Sequence, residues 1–379
     1  MISFLLSIIY LAFISLGLPD SLLGSAWPVL YSEIGVPLSF AGIVSMIITV
    51  GTIVSSLLSD SVTRRFSAGV VTAASTLMTA VALLGFSFSE SFIWLCIFAV
   101  PYGIGAGAID AALNNYVAVH FAARHMSWLH AMWGIGATVS PYIMGAAISG
   151  RHGWHGGYFS VSVIQLLLTV FLFASLPLWK KSENIAKEKK PHAKNVFKIK
   201  GVIHVFVTFF GYCALESTAG LWASSYLNIA RGVDAERAAS LAALFYLGIT
   251  VGRIASGFVA DRLGDKRLIR IGLCVIFIGI ACLMLSPQIC APIGLVVIGL
   301  GCAPVYPSVI HSTPHNFSEE NSQKIVGMQM ASAYIGSALM PPLFGAVCEV
   351  LPIAIYPIYL ALFAALMVVM SERLNKIMK

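Results

Sequence analysis

Of the 379 residues, 58% are hydrophobic and 10% charged, and the formal net charge is +7. Soluble domains carry roughly a quarter charged residues, so a water-soluble fold could not bury this much apolar surface. The positive residues sit in short connectors between apolar runs, which excludes a basic nucleic-acid surface and reads as a membrane topology signal.

A helical membrane span takes about 20 apolar residues. Twelve such runs fit: 3–31, 38–58, 67–88, 91–119, 127–149 and 157–178, then 201–228, 237–260, 268–286, 291–313, 323–348 and 353–371. Lipid offers the backbone no hydrogen-bond partners, so runs of this length must be helices, whereas a barrel would show short alternating segments. The predicted class is an all-α membrane protein. The first run starts at Ile2, with no basic segment before it and no small-residue cleavage site after it, and reads as a retained helix and not a signal peptide. Within it, Gly17-Leu18-Pro19 should kink or unwind the helix and expose backbone near Asp20 to a central cavity. In the fourth span Asp110 lies one turn before Asn114, on one face, with Asn115 beside them. The fifth carries His130 and, three residues on, Trp133. The segment from Trp179 to Lys200, rich in lysine, is the one long polar connector, and it divides the chain into 1–178, a linker 179–200, and 201–379. Beyond it come Glu216 and Trp222 in the seventh span, Tyr306 between Pro304 and Pro307 in a tenth helix expected to be broken, His311, and Gln329 in the eleventh span. The seven cysteines (Cys96, Cys213, Cys274, Cys282, Cys290, Cys302 and Cys348) lie almost all inside apolar runs without a Cys-x-x-Cys pair, and read as packing residues and not as metal ligands or disulfides.

Every second connector is basic: Arg64 and Arg65; Arg124; the lysine linker; Arg262 with Lys266 and Arg267; Lys324; and Arg373, Lys376 and Lys379 at the tail. By the positive-inside rule both termini are expected in the cytoplasm.

An internal repeat supports the division. Ile135-Gly136-Ala137-Thr138-Val139-Ser140-Pro141 running to Gly145 recurs as Ile335-Gly336-Ser337-Ala338-Leu339-Met340-Pro341 running to Gly345. Ser56 to Asp60 with Arg64 and Arg65 parallels Gly257 to Asp261 with Lys266 and Arg267. Gly103-Ile104-Gly105 answers Gly299-Leu300-Gly301. Asp20-Ser21-Leu22-Leu23-Gly24 with Trp27 matches Glu216-Ser217-Thr218-Ala219-Gly220 with Trp222. Like spans at a nearly constant offset and in one orientation mean two parallel copies of a six-helix unit, the architecture of the major facilitator fold.

The run Gly257-Phe258-Val259-Ala260-Asp261-Arg262-Leu263-Gly264-Asp265-Lys266-Arg267 resembles the signature loop of the major facilitator superfamily, Gly-x-x-x-Asp-Arg-x-Gly-x-Arg/Lys. Such a loop can form a charge-linked latch, here Asp261 with Arg262, Lys266 and Arg267, and in a degenerate first copy Asp60 with Arg64 and Arg65. The alternative is helix ends that merely carry snorkelling charges. Asp110-x-x-x-Asn114, Leu129-His130-Ala131-Met132-Trp133-Gly134-Ile135-Gly136 and Gly301-Cys302-Ala303-Pro304-Val305-Tyr306-Pro307 resemble the fucose/glucose:proton symporter group. That resemblance implies proton-coupled symport of a sugar or polyol by alternating access, with the first and seventh spans lining the path.

A charge at mid-bilayer costs about 2.5–3.5 kcal/mol on insertion scales, so Asp20, Asp110 and Glu216 are the candidate proton or solute groups, with His130 a possible relay. The competing reading is local capping and interhelical hydrogen bonds. Asn114, Asn115, Tyr306 and Gln329 could bond hydroxyls, and Trp27, Trp133 and Trp222 could stack on a sugar or act as interfacial anchors. Nothing resembles a phosphate loop, nucleophile elbow or metal spacing, so neither enzyme nor cofactor is expected. The expected partners are a small solute, protons and the lipid of a plasma (bacterial inner) membrane, with the monomer as working unit. Efflux of amphipathic drugs or lipids is the rival function, although the fifth span has Ser140-Pro141 and a single Gly145 where drug antiporters commonly show Gly-Pro followed by Gly-Gly.

Overall fold

A computed structural model describes residues 2–120, 123–179, 196–286, 288–317 and 319–378. Among these residues twelve helices are long and apolar enough to cross a membrane, and there is no strand. The first six spans are Phe4–Ile34, Phe40–Ser59, Ala68–Ser87, Phe92–Asn114, Trp128–Ile148 and Gly153–Ala174. The last six are Val202–Ala230, Ala235–Val259, Asp265–Met284, Cys290–Phe317, Met328–Cys348 and Ile353–Ile377. They form two parallel six-helix bundles. The side chains of Asp60, Arg64, Asn115, Arg124, Asp261 and Lys324, and most of the lysine linker, lie outside the described residues.

The repeat reappears as contact geometry. Gly103 sits on the carbonyl oxygen of Ile48, and its counterpart Gly299 sits on that of Phe245. Gly136 sits on the carbonyl of Ile14, and Gly336 on that of Phe210. Each of these four positions would drive a Cβ into a neighbouring carbonyl, so the small residue is what lets the fourth span meet the second, the fifth meet the first, and their equivalents do the same.

The first span is two consecutive helices, Ile2–Asp20 and Leu22–Ile34. The expected break falls at Ser21, whose hydroxyl donates to the carbonyl of Ala137 at 2.8 Å. The tenth helix departs from expectation: Cys290–Phe317 is continuous through Pro304 and Pro307. Its backbone is held against the ninth span, with Gly301 and Gly272 each close to the other's carbonyl, and such support is how membrane helices keep a proline without breaking.

With twelve spans, the start of the first and the end of the last lie on one face of the assembly, the terminal face. On the opposite, distal face the two bundles close on small residues: Gly24 meets the Leu221 carbonyl, Gly42 meets Pro342, and Gly145 meets Ser240 and the Glu236 carbonyl.

Candidate functional site

Asp20 lies midway along the first span between buried neighbours, Pro19 and Ser21, yet is itself exposed. Its carboxylate accepts two hydrogen bonds from other spans, from the Tyr102 hydroxyl to Oδ1 at 2.8 Å and from Trp133 Nε1 to Oδ2 at 2.7 Å. A side chain gripped by the fourth and fifth spans faces the bundle interior and not lipid.

Trp133 connects this acid to the other half. The Arg253 guanidinium lies over its indole, 5.4 Å from the ring centroid, and the Tyr246 ring meets it edge-on at 6.2 Å. Arg253 in turn faces Glu216, Nη2 to Oε1 3.6 Å, with the two side chains 16% and 19% exposed. The two acids related by the repeat are therefore joined across the seam by one indole and one guanidinium. Arg253 is not among the residues that the sequence motifs single out. The available signal was a lone arginine deep in the apolar run from Ala238 to Ala260.

Asp110 accepts a hydrogen bond from Asn114 Nδ2 at 2.8 Å, as their one-turn spacing predicts, and stands within electrostatic reach of Asp20, Tyr306 and Tyr334. His130 turns an edge to Phe13, with centroids 5.8 Å apart, and stands within reach of Arg253. Tyr306 packs against Phe209 and Tyr212 at 4.8 and 5.7 Å, its hydroxyl 3.5 Å from Met330 Sδ.

Three expected contributors are packed away. Trp27 is fully buried, stacks on Tyr31 and donates its N–H to the Leu38 carbonyl at 2.8 Å. Trp222 is fully buried, meets Phe344 edge-on and donates to the Pro341 carbonyl at 3.0 Å. Both indoles spend their faces on the core and their N–H groups on backbone, so neither presents a surface to a solute. Gln329 is also fully buried and accepts from Thr313 at 3.2 Å. His311 is on the terminal face, its Nδ1 2.8 Å from Asp265 Oδ2. Of the latch residues, Arg65, Arg262, Lys266 and Arg267 are exposed at helix ends; Asp60, Arg64 and Asp261 lie outside the described side chains, as does Asn115.

A model of the Major Facilitator Superfamily matches residues 9–292 and again 205–374. The chain belongs to that superfamily. It is 26% identical over 293 residues to the glucose/mannose transporter GlcP of Bacillus subtilis (strain 168), a match covering 73% of this chain and 70% of that one. It is 24% identical over 247 residues to the cis,cis-muconate transport protein of Acinetobacter baylyi, covering 60% of this chain and 58% of that protein's length. The crystal structure of a mutant of the nucleoside transporter NupG superposes with a TM-score of 0.80 at 15% identity, over 98% of this chain and 99% of the other. The protein is a membrane transporter of this fold and not an enzyme.

Proposed function

We propose that the protein carries a small polyhydroxylated solute, a sugar or polyol, by proton symport through alternating access. The observation that carries this reading is the mid-membrane bridge Asp20–Trp133–Arg253–Glu216, in which an acid from each half is tied to a shared aromatic and cationic centre. Each group suits the task. The exposed Asp20 carboxylate and the Asp110–Asn114 pair offer acceptors and donors to hydroxyls, and the Trp133 face suits the C–H face of a ring. A carboxylate is a group that can take up a proton on one side and release it on the other, and an intramembrane acid is a proton-relay candidate by its position. A proton falling through 100 mV brings about 2.3 kcal/mol, enough to drive a sizeable solute gradient.

Relatives named for a hexuronate or for muconate carry anions. Here the one arginine of the bridge, Arg253, already faces Glu216, while Asp20 and Asp110 stand within electrostatic reach of each other, a balance that favours a neutral solute. On this reading the positive-inside pattern makes the terminal face cytoplasmic, the membrane is a plasma membrane, and the domain bounds and the latch are those expected from the sequence. The test is uptake in proteoliposomes: a panel of hexoses, pentoses, polyols and hexuronates with and without a pH gradient. Gradient-dependent accumulation of a neutral sugar supports the proposal, and accumulation of hexuronates alone refutes it.

A further inference from the structure

We propose that Glu349 holds the distal gate shut by capping a helix of the opposite bundle. Glu349 follows the eleventh span, in the second half, and its Oε1 accepts a hydrogen bond from the backbone N–H of Ser39 at 3.1 Å. Ser39 is the N-cap of the second-span helix, in the first half, and its own hydroxyl makes no capping bond. A helix N-terminus leaves backbone N–H groups unpaired and carries the positive end of the macrodipole. The first bundle leaves this helix without a side-chain cap, and the second bundle supplies a carboxylate.

The neighbouring residues set up the contact. A Cβ at Gly345 would lie 3.0 Å from both the Cα and the carbonyl oxygen of Ser39, so glycine there permits the approach, and Gly42 sits directly on Pro342. Two other charged groups on this face are engaged elsewhere: Glu33 accepts from Trp154 Nε1 at 2.6 Å, and Arg231 donates to the carbonyls of Leu283 and Leu285. Opening the distal face separates the second span from the eleventh and breaks the Ser39–Glu349 bond. The bond exists only in the closed state, so it biases the equilibrium toward that state.

The inference rests on the alternating-access reading, but its test needs no solute. With all seven cysteines replaced by serine, Thr250→Cys puts one thiol at the seam, where Thr250 is 6% exposed and faces Gly134. An impermeant maleimide, added on the side from which a Val350→Cys control reacts, modifies Cys at 250 at a rate proportional to the open fraction. Glu349→Ala should raise that rate about fivefold, the equivalent of a typical helix cap of ~1 kcal/mol. Glu349→Gln, which keeps an acceptor, should raise it less, and Glu349→Lys, which places a cation at the helix N-terminus, should raise it more. Rates unchanged in all three variants, or raised equally in all three, overturn the proposal. A failed solute screen would leave this result standing, and an insensitive gate would leave the solute site standing.

Discussion

Replacing Arg253 by methionine keeps much of the side-chain length and removes the charge that joins the two acids. At 3.6 Å and an effective dielectric of about 20, the attraction between Arg253 and Glu216 is roughly 4–5 kcal/mol before desolvation, and the stack on Trp133 adds about 0.5–2 kcal/mol. Desolvation offsets much of this, yet removing one member of a buried pair leaves the other uncompensated, at a cost of about 3–5 kcal/mol. Both side chains keep some exposure, which places the expected loss for Arg253→Met near 3 kcal/mol. Thermal unfolding in detergent should show this as a fall of several degrees. The double variant Arg253→Met/Glu216→Gln removes both charges and should recover most of the stability while transport stays lost. If the double variant is no more stable than the sum of the single losses predicts, the pair is not coupled and the bridge is not held as described.

The two kinds of indole should separate in function. Trp133→Phe removes the N–H that Asp20 accepts and should weaken solute affinity or transport by about tenfold, the order expected for a hydrogen bond to a charged group, whereas Trp222→Phe should change stability and leave affinity within about twofold in a binding titration. Gly299→Val, which drives a side chain into the Phe245 carbonyl, should lower folded yield in detergent gel filtration well below that of Gly257→Ala, where open space surrounds the Cβ position. Asp261→Asn should slow transport while leaving equilibrium solute binding nearly intact, since a latch acts on the conformational equilibrium; a large loss of selectivity in the binding assay would count against that role.

The twelve spans are legible in the sequence because lipid forces apolar runs to be helices, and the repeat is legible because glycines that touch carbonyls cannot drift. Gly103 and Gly299 show both. The acids are legible for a related reason: a carboxylate inside an apolar run is costly enough to stand out, and Asp20 and Glu216 do face the interior. The tryptophans are not legible, because residue type says nothing of which way an indole points. Trp27, Trp133 and Trp222 look alike in the sequence, yet Trp133 alone of the three reaches the acids, donating to Asp20, while the other two are fully buried. Proline misleads in the tenth span, since support from neighbouring helices decides whether a helix breaks. The partnership of Arg253 with Trp133 across the seam depends on a register between bundles that no local pattern encodes.

The most direct test of the mid-membrane site as the seat of coupling is paired transport in proteoliposomes, with accumulation under a pH gradient and counterflow exchange without one measured on the same preparations of Asp20→Asn and Glu216→Gln. An amide stands in for the permanently protonated acid. At least one variant is predicted to lose gradient-driven accumulation while keeping counterflow. Equal loss of both activities, or survival of both, in the two variants would contradict the assignment and turn attention to Asp110 and His130.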